Sequence, residues 1–314
     1  GANGVILVTT KSGEISKPKM SLTANFGIDI PTNLPKHISS YKTALMMNEE
    51  FRNIGEFAST IPDEILEEYR NPSSKINSIR YPDVDWFDEM LKSFSTNSNV
   101  NYSISGGSKK VKYYIGLGYK HEGSIFKNLS QYRDNNFNYD LINYRSNLDI
   151  NLTPTTSVDI RLSGYYPEWM LEEIPDINYP DASGIRLVAD EGHKYASSLY
   201  GHNAYIFLAS GDYTQTINNN FNADLELKQK LDFITKGLKA SAMISYTTNN
   251  RRESETGDGP RHTYYIDWDA YDAGLNPWTQ GGGSTEVYEE TPYKQAVGGV
   301  KSYNYAFYWK GSLD

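Results

Sequence analysis

The dominant pattern along the chain is an alternation of apolar and polar residues with a period of two. It is clearest between Lys19 and Ile30, where every even-numbered residue is apolar and every odd-numbered residue is polar or glycine. Similar runs recur at residues 100–104, 113–119, 144–152, 158–166, 221–227, 238–246 and 303–313. Since successive side chains of a β-strand point to opposite faces, these runs predict about eight strands.

Two all-β architectures fit this alternation. One is a soluble antiparallel sandwich, whose strands also have one apolar face. The other is a section of an antiparallel transmembrane β-barrel, with apolar residues toward lipid and polar residues toward a wet lumen. The apolar faces carry no charged residue over about ten residues, the length that crosses a bilayer, and aromatic residues gather at the strand ends. These two features favour the barrel.

The connections between the runs alternate between long and short. The long ones cover residues 31–98, 122–136, 167–215 and 249–300, and the short ones cover residues 107–110, 153–155 and 232–236. Outer-membrane barrels have long extracellular loops and short periplasmic turns. The first strand would then run outward, with residues 1–17 on the periplasmic side or inside the lumen.

The first long loop carries helix signals. Ser39 or Ser40 would cap a helix that ends at Gly55, and Pro62 fits the first turn of a second helix over residues 63–69. Asp85, and with it Asp88, is interpreted as a capping residue of a third helix. Its apolar side would comprise Trp86, Phe87, Met90 and Leu91.

Composition narrows the functional classes. The 314 residues include no cysteine, which excludes a disulfide scaffold and a thiolate metal site. The net charge of −9 argues against a nucleic-acid partner. The five histidines are scattered without zinc-binding spacing, and no catalytic constellation is found. We therefore predict no enzyme activity, no cofactor and no metal site. The sequence starts without methionine and stops inside an alternating run, so we expect a piece of a longer protein.

Aromatic residues in the predicted long loops are the candidate cargo-binding groups. Flat rings with polar neighbours suit the faces of sugars or the side chains of peptides. The same rings would also serve simply to pack the loops together. The predicted binding residues are Trp169, Tyr205, Trp268 and Trp278.

Several segments resemble one family of transporters. Residues 1–11, with the sequence GANGVILVTTK, look like the segment that closes the plug domain of SusC/RagA-family TonB-dependent receptors. The segments Tyr81–Trp86 (YPDVDW), Arg145–Asp149 (RSNLD) and Leu231–Leu238 resemble first-loop, strand and turn segments of the same family. The resemblance implies that residues 1–17 end the plug domain. Residues 18–314 would form the N-terminal portion of a barrel of about 22 strands.

The resemblance also implies a function. It implies import of an oligosaccharide or peptide through the outer membrane of a Gram-negative bacterium, driven by the TonB complex through a TonB box that precedes this sequence. A SusD-like surface lipoprotein would lid the pore. The alternative is a soluble all-β glycan-binding module or glycosidase that uses the same rings.

Overall fold

A computed structural model describes residues 11–34, 36, 38–74, 77–128, 137–171, 195–197, 213–256, 263–266, 272–274, 278–280, 295–296 and 300–313. Eight long strands dominate this part of the chain. They are β1 (Ser16–Asp29), β2 (Ser95–Gly107), β3 (Val111–Glu122), β4 (Tyr139–Asn151), β5 (Thr156–Leu171), β7 (Tyr213–Lys230), β8 (Lys239–Thr256) and β12 (Val300–Leu313). The prediction of about eight strands is therefore confirmed.

The remaining elements are short. Four small strands lie in the later connections: β6 (Tyr195–Ser197), β9 (Thr263–Ile266), β10 (Trp278–Gln280) and β11 (Gln295–Ala296). The helices follow β1: α1 (Ser40–Ile54), α2 (Asp63–Arg70), α3 (Asn77–Arg80) and α4 (Trp86–Met90), with one 3₁₀ turn at Phe57–Ser59. None of the helices in the described part is long and apolar enough to cross a membrane.

The long strands pair in sequence order into one antiparallel sheet. The order is β1-β2-β3-β4-β5-β7-β8, and β12 pairs with β8 at the far edge beside the short β11. The strands β6, β9 and β10 form a separate three-stranded sheet. Sequential antiparallel pairing puts all the short turns at one end of the large sheet and all the long connections at the other, as the alternation of lengths predicts.

The large sheet has one apolar and one polar face. Met20, Leu22, Phe26 and Ile28 project from the same side of β1, and each is 64–78% exposed. The pairing register continues this apolar row across the sheet, with Ile104 opposite Met20 and Ile115 opposite Ile104. At the far edge Phe307, which is 63% exposed, lies opposite Tyr246. The even-numbered residues of β1 therefore share one face, as the alternation predicts.

The short turns are closed by local hydrogen bonds. In the turn between β7 and β8, the Asp232 carboxylate accepts from the Gly237 backbone N–H at 2.8 Å, and Gly237 has a φ of 87°. Glycine adopts this left-handed conformation without steric cost. In the turn between β4 and β5, the Thr153 hydroxyl accepts from the backbone N–H of Thr156 at 2.9 Å.

The first long connection folds into a helical cap, which we define as residues 40–90. The predicted helix ends are confirmed at Gly55, with a φ of 81°, and at Asp85, whose side chain accepts from the backbone N–H groups of residues 87 and 88. Asp88 is a correction, because it lies inside α4 rather than at its cap. The first helix begins at Ser40, whose N–H donates to the distant Asp83 carboxylate at 2.8 Å.

All the buried hydrophobic residues of the described part belong to this cap, and the connection between β3 and β4 adds partly buried rings against one of them. The buried hydrophobic residues are Ala44, Leu66 and Met90, and Met90 is fully buried against Trp86, Phe126 and Phe137. The large sheet has no comparable apolar core, because its apolar side chains project from one face. That face therefore requires a covering other than the described part of this chain.

Candidate functional site

The polar face of the large sheet borders a cavity of about 610 Å³. Six neighbouring strands contribute to its wall, so the sheet curves toward its polar side. Polar side chains dominate the wall, among them Ser21, Asn101, Tyr114, Asn143, Tyr165 and Asn220. A wet groove of this size can hold several residues or sugar units of a polar ligand.

The N-terminal segment of the described chain crosses this polar face. The Asn147 side-chain amide, which is 3% exposed, donates to the Lys11 carbonyl. Lys11 also borders the cavity. A Cβ atom at Gly13 would lie 2.3 Å from the backbone nitrogen of Tyr113, so only glycine fits this close approach. The chain therefore enters β1 from the concave side of the sheet.

Charged residues of the polar face form a row near the short turns. Lys112 lies opposite Asp149, which lies opposite Asp159, which in turn lies opposite Glu226. The Lys228 ammonium is 2.6 Å from the Asp159 carboxylate and 3.0 Å from that of Glu226. Arg161 forms a further ion pair with Asp149. These pairs neutralise carboxylates that would otherwise repel one another across β4, β5 and β7.

Of the predicted binding rings, Trp169 has a described side chain. Trp169 lies in β5 rather than in a loop, because β5 continues to Leu171, four residues beyond the predicted loop start at Pro167. Its ring stacks on Tyr139 of β4, with centroids 5.5 Å apart and planes 29° from parallel. Both rings lie at the loop end of the polar face. The cargo-binding role of Trp169 stays a prediction.

The other three predicted rings have less structural description. Trp278 begins β10, and its side chain lies outside the described residues. Tyr205 and Trp268 also lie outside the described residues. The cargo-binding role of the four predicted rings therefore stays a prediction.

Two of the long connections contact one another. The Arg80 guanidinium of α3 is 3.0 Å from the carboxylate of Asp272, in the connection between β8 and β12. This contact joins the helical cap to a segment 192 residues away in sequence.

The helical cap also contains a carboxyl group with a shifted pKa. Hydrogen bonds from the side chain and backbone N–H of Ser73 lower the pKa of Glu68.

Titratable clusters elsewhere are small. His121 Nδ1 and the Tyr119 hydroxyl both contact one carboxylate oxygen of Asp140, at 2.8 and 2.6 Å. These three residues lie on the apolar side of the sheet near its loop end, where His121 lies directly opposite Asp140 and Tyr119 lies two residues along β3 from His121. Within the described ranges, no group of His, Asp and Glu side chains is placed to hold a metal ion.

Comparisons with known proteins agree with this architecture. The chain is similar to three TonB-dependent receptors of Formosa agariphila: P26 with 32% identity over 171 residues, P3 with 30% over 165 and P39 with 28% over 165. These alignments cover 52–53% of this chain and 13–15% of the relatives. The chain thus spans about a seventh of the relatives that it matches. No protein-family model matches it.

Solved structures extend the likeness to most of the chain. Chains of the RagAB peptide importer in its closed-closed state and of the RagAB peptide transporter match with TM-scores of 0.51 and 0.53. The matches cover 79% of this chain and 30% of those chains, at 17% and 15% identity. The chain is similar in sequence to TonB-dependent receptors over about half of its length, and it has the fold of a barrel section of the RagAB type. The predicted resemblance and fold class are confirmed.

Proposed function

We propose that this chain is the wall section of an outer-membrane transporter that imports a nutrient in a TonB-dependent manner. In this proposal residues 18–314 form the N-terminal portion of the barrel, and residues 1–17 end the plug domain that occupies the lumen. The entry of the N-terminal segment from the concave side, where Asn147 holds the Lys11 carbonyl, supports this division. Cargo would bind at the loops and the polar wall and pass inward when the plug moves.

The observation that carries the proposal is the continuous exposed apolar face opposite a polar, cavity-forming face. The side chains of Leu22, Phe26 and Trp309 are each 69–78% exposed. Exposure of their apolar surface to water would cost roughly 25 cal/mol of free energy for each Å². Lipid removes that cost, as in a transmembrane barrel. A soluble glycan-binding module or glycosidase would instead bury this face under a second layer. In the described part of the chain the face is exposed, so the structure favours no second function.

The proposed mechanism requires no covalent chemistry. The TonB complex would supply the energy by acting on the plug, and a SusD-like surface lipoprotein would close the extracellular side. The similar proteins are named TonB-dependent receptors, and RagAB is described as a peptide importer. For this chain the cargo class, an oligosaccharide or a peptide, is part of the proposal.

The experiment uses the full-length protein in intact cells. The protein has no cysteine in this section, so single cysteines report on orientation. Glu64→Cys lies on the exposed surface of α2, and Lys236→Cys lies in the exposed turn before β8. An impermeant maleimide should label Glu64→Cys in intact cells and label Lys236→Cys only after the outer membrane is permeabilised. Labelling of both positions in intact cells, or recovery of the protein in the soluble fraction, would refute the proposed topology.

A further inference from the structure

The polar face carries a row of asparagine side chains that the pairing register brings to one height. Starting from Thr23, each residue in the row lies directly opposite the next across seven strand pairs. We call this set the asparagine row. Its members are Thr23, Asn101, Gly118, Asn143, Tyr165, Asn220, Asn249 and Asn304.

Gly118 lets two of these carboxamides converge. A Cβ atom at this position would lie 2.5 Å from the Asn143 amide nitrogen and 2.9 Å from the Asn101 amide oxygen. Such distances are far below van der Waals contact, so the two side chains occupy the space that any other residue would fill. Glycine inside a strand often marks this kind of close approach.

Neighbouring asparagines hold parts of the row in place. The Asn101 amide donates to the Asn99 side-chain oxygen at 2.7 Å, and the Asn222 amide donates to the Asn220 oxygen at 2.8 Å. Each carboxamide has two N–H donors and an oxygen with two lone pairs. One bond to a neighbour therefore leaves hydrogen-bonding capacity for a ligand in the cavity that Asn101, Asn143, Tyr165 and Asn220 border.

The asparagine row contains no charged residue, in contrast to the charged row. Along β3, Gly118 in the asparagine row and Lys112 in the charged row are six residues apart, or about 20 Å. The polar face thus separates a neutral band in the cavity from an ion-paired band near the short turns.

We propose that the asparagine row is a cargo-contact site for an uncharged oligosaccharide. The proposal rests on the transport function proposed above and names its substrate class. A sugar hydroxyl both donates and accepts, and a carboxamide offers both roles side by side, so adjacent hydroxyls match one asparagine. Tyr165 adds a ring within the row, and the stacked Trp169 and Tyr139 lie four residues nearer the loops on the same face.

A peptide fits the asparagine row less well. Peptides carry charged termini and often charged side chains, which need opposite charges when they leave water. Lys11 and Arg145 are the charged residues of the described part that border the cavity, and two cations without an acidic neighbour there do not suit a mixed peptide population. These observations favour a neutral glycan. Binding of peptides alone would contradict this assignment.

The experiment measures binding to the purified full-length transporter. Three probe sets are compared: neutral oligosaccharides, oligosaccharides that carry uronic acid or sulfate groups, and a mixed peptide library. We expect binding to the neutral set. Asn143→Leu and Asn220→Leu, which keep the side-chain shape but remove the hydrogen bonds, should each weaken it roughly tenfold. Gly118→Ala should weaken it as well, because the methyl group displaces both converging carboxamides. The matched control is Asn219→Leu, which changes an adjacent asparagine on the opposite face of β7.

The outcomes separate this inference from the transport function. Binding of peptides or charged oligosaccharides alone would overturn the neutral substrate class. Neutral binding that the row variants leave unchanged, at normal outer-membrane levels, would overturn the asparagine row as the site while TonB-dependent uptake stands. Failure to bind any probe set would overturn the row as a cargo site. Loss of outer-membrane localisation in the unmodified protein would instead count against the proposed function itself.

Discussion

Replacement of Leu225 by lysine tests directly whether the apolar face of the sheet contacts lipid. Leu225 is 46% exposed and lies between Ile160 and Ile244 on the neighbouring strands. The apolar residues of β7 run from Phe221 to Leu227 on this face, so Leu225 lies near the middle of the apolar band. A lysine near the bilayer midplane costs about 2–4 kcal/mol in a barrel. That cost corresponds to a roughly 30- to 700-fold shift in the folding equilibrium.

The assay compares Leu225→Lys with a matched charge on the other face of the same strand. Asn222→Lys places its ammonium on the polar side, opposite Ser163 and Thr247, where water and polar groups solvate it. We expect less folded protein in the outer membrane for Leu225→Lys, and a lower urea midpoint in lipid vesicles, with near-normal values for Asn222→Lys. Equal assembly of both variants would refute the assignment of the apolar face to lipid, since only that assignment makes the two lysines differ.

Two further predictions concern the helical cap and the predicted cargo rings. In the cap, Met90→Ala should cost about 2–5 kcal/mol locally, because Met90 is fully buried, and hydrogen exchange of α4 should accelerate while barrel assembly stays normal. Met46→Ala, at a 61% exposed position of α1, is the control, and equal exchange in both variants would show that the Met90 cluster does not hold the cap. Alanine at any of the predicted cargo rings should weaken cargo binding roughly tenfold or more without lowering the amount of barrel. Normal uptake in all four variants would make the rings structural. These rings are Trp169, Tyr205, Trp268 and Trp278.

Features that depend on neighbours in sequence could be predicted from the chain itself. The alternation in β1 fixes which residues share a face, because the side-chain period of a strand is two. The cap at Asp85 and the left-handed Gly55 follow from local backbone chemistry. The alternating lengths of the connections likewise predicted a sheet with all its long loops at one end. Apart from the connection lengths, each of these features depends on residues within one turn or one strand.

Other features depend on residues far apart in sequence. Local signals placed the start of α1 at Ser39 or Ser40, but the N–H of Ser40 is bonded by Asp83, 43 residues later. Arg80 and Asp272 are 192 residues apart, and their ion pair exists because two connections leave the same end of the sheet. Trp169 was predicted in a loop, yet pairing with Tyr139 of β4 and Thr216 of β7 extends β5 past it.

The asparagine row shows the same division between sequence and tertiary structure. The sequence by itself determined that asparagines such as Asn101, Asn143 and Asn220 occupy polar positions of their strands, since alternation assigns each residue to a face. It did not determine that these residues share one height, because alternation is unchanged when a strand slides by two residues past its neighbour. Only the hydrogen-bonded pairing of the assembled sheet fixes that register. The pairing converts scattered asparagines into one neutral band on the wall of the cavity.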